Sequence, residues 1–95
     1  MTERDLTKLI LCCCGTLWRA KKLDLQLRST SYSADKSIII YHFFYTKVFG
    51  ADKHERIELD LPLSILETVN TPEEKLALGQ TIISRLWTAY LQNKA

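Results

Sequence analysis

Two histidines, His42 and His54, and a run of three cysteines, Cys12, Cys13 and Cys14, are the side chains here with the most capacity for chemistry. An imidazole serves as base, acid or metal ligand only beside a second group in a defined place. Neither histidine has Cys, Asp or Glu beside it at a metal-binding spacing. His42 lies between Tyr41 and Phe43, which favours a core or interface histidine over a catalytic one, and His54 follows a turn signal and reads as solvated.

Three adjacent cysteines splay around a helix axis, so they cannot form an ordinary mutual disulfide. With an odd count and no Cys-x-x-Cys, they read as reduced thiols of a cytoplasmic chain. Free cysteine is often buried, so two of the three are expected to pack against the sheet, leaving one partly exposed. Acylation of these thiols, with Arg19, Lys21 and Lys22 as a second membrane signal, is the sharper and less favoured alternative. The chain has no Gly-x-Ser-x-Gly, no His-Glu-x-x-His and no dinucleotide fingerprint. Three glycines in all leave little bare backbone to wrap a phosphate. The expectation is a non-enzymatic protein with no catalytic residues, no cofactor and no metal.

The elements that must position these residues follow from periodicity. Ninety-five residues suit one domain, 1–95, large enough to bury a core without disulfides. A composition 46% hydrophobic and 25% charged, with a net charge of +2, is that of a folded chain and less basic than most dedicated nucleic-acid binders. The stretch Leu6 to Leu17 resembles a signal-peptide core, but Glu3 and Asp5 precede it and Arg19, Lys21 and Lys22 close it. It is also shorter than the roughly 20 apolar residues a span requires.

Thr2 and Asp5 predict a capped helix start. Leu6, Leu9, Ile10, Cys13, Leu17 and Ala20 then recur at three and four residues, with Cys14 and Trp18 widening the stripe. Gly15 within it suggests a close neighbour. Leu23, Leu25 and Leu27 alternate with Asp24, Gln26 and Arg28 as a half-buried strand, and Ser29 to Ser37 carries strand ends and a turn. Ile38 to Phe49 is apolar or aromatic on both alternating faces. Gly50, Asp52 and Lys53 mark the next reversal, and Ile57, Leu59 and Leu61 alternate with Arg56, Glu58 and Asp60 until Pro62, which has no amide proton for a ladder. Pro62 or Ser64 opens one or two helical turns through Val69, or the segment is a loop, since it is short enough for either. Thr71-Pro72-Glu73-Glu74 combines a capping hydroxyl, a first-turn proline and a returning carboxylate, so the last helix runs from about Pro72 to Leu91. Its buried stripe is Leu78, Ile82, Leu86, Ala89 and Tyr90, with Ile83 and Trp87 on the shoulder. The fold class is α+β: a two-layer sandwich of helix, three-stranded antiparallel meander, short helix and long C-terminal helix.

Two helices on one sheet face leave the other open, which makes the middle strand the main functional clue. The open stripe is Ile38, Ile40, His42, Phe44, Thr46 and Val48 in one register and Ile39, Tyr41, Phe43, Tyr45, Lys47 and Phe49 in the other, exchanged by a slip of one residue. The first is preferred because it carries His42 and Thr46. Exposed apolar surface usually marks an interface. The expected function is a protein-interaction module or adaptor, often self-associating, that contacts its partner through Ile40, His42 and Phe44, or in the slipped register Tyr41, Phe43 and Tyr45. A nucleic-acid module is the alternative, using sheet aromatics and the Arg19, Lys21, Lys22 cluster. The helix, three strands, helix order is similar to that of double-stranded-RNA-binding domains in topology alone. Those begin their last helix with lysines, whereas this chain places Glu73 and Glu74 there.

Overall fold

The computed structural model describes residues 1–46 and 54–94. Helix α1 spans Glu3–Lys21 and opens on the expected capping box. The Asp5 amide donates to the Thr2 hydroxyl and the Thr2 amide to the Asp5 carboxylate, each at 3.1 Å. The helix ends at Lys22, which takes the left-handed conformation (φ 56°, ψ 29°) and donates its amide to carbonyls of the last turn. That conformation costs a non-glycine residue about 1 kcal/mol.

Strands β1 (Gln26–Tyr32), β2 (Ile38–Thr46) and β3 (His54–Pro62) form an antiparallel sheet in the order β1-β2-β3. The short helix α2 covers Ile65–Thr68, and α3 runs from Pro72 to Lys94, one turn beyond the expected end. The α3 cap is the reciprocal pair foreseen: Glu74 N donates to Thr71 Oγ1 at 3.1 Å and Thr71 N to Glu74 Oε1 at 3.0 Å. The α+β order of helix, meander, short helix and long helix stands as read from the sequence.

Strand β1 departs from expectation. Leu23 and Leu25 are buried but precede the strand, which instead runs through the polar stretch Ser29 to Tyr32. The register shifts between Leu27 and Ser29, so a bulge at Arg28 interrupts the simple alternation that began at Leu23. An edge strand with one face open tolerates this run of hydroxyls. The turn that follows is tied by Asp35, whose Oδ1 accepts from Ser33 Oγ, Ser37 Oγ and the Ser37 amide. The end of the long apolar run, residues 47–49, and the reversal at Gly50, Asp52 and Lys53 lie outside the described residues.

The core joins Leu6, Ile10, Cys13, Cys14 and Leu17 of α1 and Ile82 and Leu86 of α3 to Ile39, Tyr41, Phe43 and Tyr45 of β2 and Ile57, Leu59 and Leu61 of β3. Two residues of the expected α1 stripe fall outside it: Ala20 is exposed and Trp18 is 51% exposed. Nor does a neighbouring element close on Gly15, where an added methyl would meet only the Arg19 side chain. The close helix contact lies at Gly79 of α3, against Leu9 and Cys13 of α1. Among the described residues no helix is long and apolar enough to cross a membrane.

Candidate functional site

The odd-numbered residues of β2 point at the helices and the even-numbered ones away, as strand alternation requires. Ile39, Tyr41, Phe43 and Tyr45 are each at most 3% exposed. Tyr41, Phe43 and Tyr45 are therefore core residues within the chain, and Tyr45 packs edge-on against Tyr90 of α3 with ring centroids 5.1 Å apart. The open face carries Ile38, Ile40, His42 and Phe44, of which Ile38 is exposed and the others half-buried. Of the two possible registers, this is the one that points His42 outward.

Cross-strand pairing sets the surroundings of that stripe. On β3, Asp60 stands opposite Ile40, Glu58 opposite His42 and Arg56 opposite Phe44. On β1, Ser31 stands opposite Ile40, Ser29 opposite His42 and Gln26 opposite Phe44. Paired residues of antiparallel strands share a face, so an apolar middle row is flanked by a hydroxyl row on one side and a charged row on the other.

His42 is the hub of this arrangement. Its Nε2 lies 2.7 Å from Ser31 Oγ, reached diagonally across the β1 pairing. Its Nδ1 lies 3.5 Å from Glu58 Oε1 on the opposite neighbour. The imidazole is 32% exposed and the carboxylate 61%, so solvent reaches both. Sequence spacing alone did not reveal the pair, because Ser31 and Glu58 are 11 and 16 residues from His42. The alternation of Arg56, Glu58 and Asp60 placed an acid on this face, but only the register places it at His42.

The remaining candidates lie elsewhere. Cys13 and Cys14 are buried and Cys12 is exposed, with all three thiols free, matching the expected two-and-one division. Burial pushes the Cys13 and Cys14 thiols up to about 11. Cys13 also donates to the Gly79 carbonyl at 3.5 Å. The basic cluster Arg19, Lys21 and Lys22 sits at the C-terminal end of α1, on the helical layer. Lys21 Nζ is 5.0 Å from the centre of the Trp87 ring and Lys22 Nζ 5.7 Å from that of Trp18. The cluster is thus not brought together with the open sheet face, and of the β2 aromatics Tyr41, Phe43 and Tyr45 lie inside while Phe44 is half-buried on the open face.

The hydroxyls of Tyr41 and Tyr45 are buried, with the side chains of Thr7 and Asn93 respectively beside them. Among the described residues no three His, Cys, Asp or Glu side chains gather as a metal site. Two shallow, mostly apolar hollows lie on the seam between α1 and α3 and share Thr16, Gln80 and Ile83, with Trp87 lining one and Leu76 the other. No family model matches the chain, and comparison with curated proteins and with solved structures finds no significant match.

Proposed function

We propose that the chain is a non-enzymatic interaction module or adaptor whose open sheet face binds protein, most simply a second copy of itself. The observation carrying this reading is the Ile38, Ile40, His42, Phe44 row, apolar on the side away from α1 and α3. A two-fold axis along β2 would stack the middle rows and set the Glu58 and Asp60 side of one copy over the Ser29 and Ser31 side of the other. Hydroxyls then meet carboxylates, whereas an axis across the strands would stack acid on acid. Three free thiols fit the cytoplasm, where cysteines stay reduced.

The test is a solution mass at several concentrations for the wild type, Phe44→Glu and Phe43→Glu. The wild type is expected to gain mass with concentration and Phe44→Glu to remain a folded monomer. Phe43→Glu, which puts a charge into the core, is expected to unfold the chain. A wild type that stays monomeric throughout removes self-association, and a Phe44→Glu protein that associates as before removes the face.

One observation favours a second reading. Trp18 is half exposed beside Lys22, with Arg19 and Lys21 on the same helix end. Aromatic rings interleaved with cations stack bases and neutralise phosphates. This nucleic-acid reading requires retention on a polynucleotide column that falls steeply with salt and weakens in Trp18→Ala. No retention at low salt removes it.

A further inference from the structure

Ser31, His42 and Glu58 come from three different strands, and the sheet register sets them in line: hydroxyl, imidazole, carboxylate. A carboxylate at Nδ1 favours the neutral tautomer that carries its proton there, which leaves Nε2 as an acceptor. The 2.7 Å contact then has Ser31 Oγ donating to Nε2. A serine with its proton on an oriented base is the arrangement that activates a hydroxyl nucleophile.

We propose that Ser31 is an acyl-acceptor site for activated esters, with His42 as its base and Glu58 as the residue that positions the imidazole. Ser31 Oγ attacks the ester carbonyl while its proton passes to His42 Nε2. The ester C–O bond breaks, and the departing oxygen takes up that proton or one from water. The product is an O-acyl serine and a free alcohol or phenol. The inward amides around Ser31 are engaged in the β1–β2 ladder, and the site lies on an open face rather than in a cleft. It therefore gains the help of a base without donors preorganised for the oxyanion. Single acylation of Ser31, rather than rapid turnover, is the outcome such a site supports, so the proposal stands beside a non-enzymatic role.

Ser29 is the internal control. It is the direct cross-strand partner of His42 and exposed on the same strand, but the hydrogen bond goes to Ser31. The experiment treats the full chain with p-nitrophenyl acetate at the lowest workable protein concentration, so that any self-association of the face does not mask the site. Acetylation is followed residue by residue through peptide mass spectrometry. Ser31 is expected to acquire acetyl about 10²-fold faster than Ser29, and in His42→Gln to fall to the Ser29 rate, as loss of a positioned base implies. Ring ¹⁵N chemical shifts of His42 are expected to show the Nδ1–H tautomer in the wild type and a mixed population in Glu58→Gln. Equal rates at Ser31 and Ser29 overturn the proposal, as does a wild-type imidazole protonated at Nε2. Both overturning outcomes are read on the wild-type chain, so neither depends on a variant's folding.

Discussion

Gly79 of α3 faces Cys13 of α1 closely enough for the Cys13 thiol to donate to the Gly79 carbonyl at 3.5 Å. A methyl group at position 79 would stand 3.4 Å from Leu9 Cδ1 and 3.9 Å from Cys13 Sγ, at ordinary contact with nothing to spare. Gly79→Leu is therefore expected to push the helices apart and cost about 1–3 kcal/mol, as overpacking does. Gly15 has only the flexible Arg19 side chain near it, so Gly15→Ala is expected to add about 1 kcal/mol through helix propensity. Urea denaturation of the two variants checks the contrast. Equal effects of the same sign would show that the seam at Gly79 is not tight.

The three cysteines should separate by reactivity. The thiolate is the nucleophile, and burial holds Cys13 and Cys14 at about 11, whereas Cys12 is exposed. Iodoacetamide at pH 8 is expected to modify one thiol of the native chain, Cys12, and all three in denaturant. Intact mass with peptide mapping reads this directly. Rapid native modification of Cys13 would mean that the α1–α3 seam opens easily.

Most of the fold was legible because its signals are local. Thr2 with Asp5 and Thr71 with Glu74 are capping boxes written within four residues, and both close as written. Ile57, Leu59 and Leu61 alternate cleanly and are buried. Legibility failed where the outcome depends on what lies across the chain. Leu23, Leu25 and Leu27 look like one strand, but of the three only Leu27 is paired, and past the bulge at Arg28 the pairing continues through Ser29 to Tyr32. Trp18 fits the periodic stripe and yet is half exposed, with Lys22 Nζ over its ring. The open row Ile40, His42 and Phe44 was the preferred of two choices only through the polarity of His42 and Thr46, since period two fixes which residues share a face and not which face meets the helices. The contacts of His42 with Ser31 and Glu58 are a matter of register and could not be read from spacing.

Acid should loosen the turn and both helix starts. Asp35 accepts three hydrogen bonds that hold its carboxyl at about 2, against the usual 3.8, and capping hydrogen bonds hold Asp5 and Glu74 below their usual values. A carboxyl whose pKa falls on folding binds fewer protons folded than unfolded. The stability it contributes is thus complete above its unfolded value, near pH 4, and is lost as the pH falls through the folded value. For Asp35 the window runs from about pH 4 to about pH 2. Asp35→Asn is expected to lower the melting temperature at pH 7 and to remove part of the difference between pH 5 and pH 2.5. An unchanged pH dependence would mean the turn contributes equally whether Asp35 is charged or neutral.

Lastly, α3 guards one edge of the sheet. Alternate residues of a strand direct their carbonyls to the same side, and on β3 the outward ones include Arg56 and Asp60, four residues apart. Asn93 Nδ2 donates to Arg56 O at 2.9 Å and Arg85 donates to Asp60 O at 3.4 Å. Both donors are exposed, so each hydrogen bond should contribute less than about 1 kcal/mol. Their larger effect is on specificity, because an unpaired strand edge templates pairing with other chains. At the opposite edge the bulge at Arg28 twists β1 and sets a charge there, an alternative form of protection. The double variant Arg85→Ala/Asn93→Ala is therefore expected to keep its helix signal and most of its stability, yet to form assemblies larger than a dimer on mild heating. Light scattering against the wild type at equal concentration reads the difference. Identical scattering would show that the β3 edge is protected by something other than these two side chains.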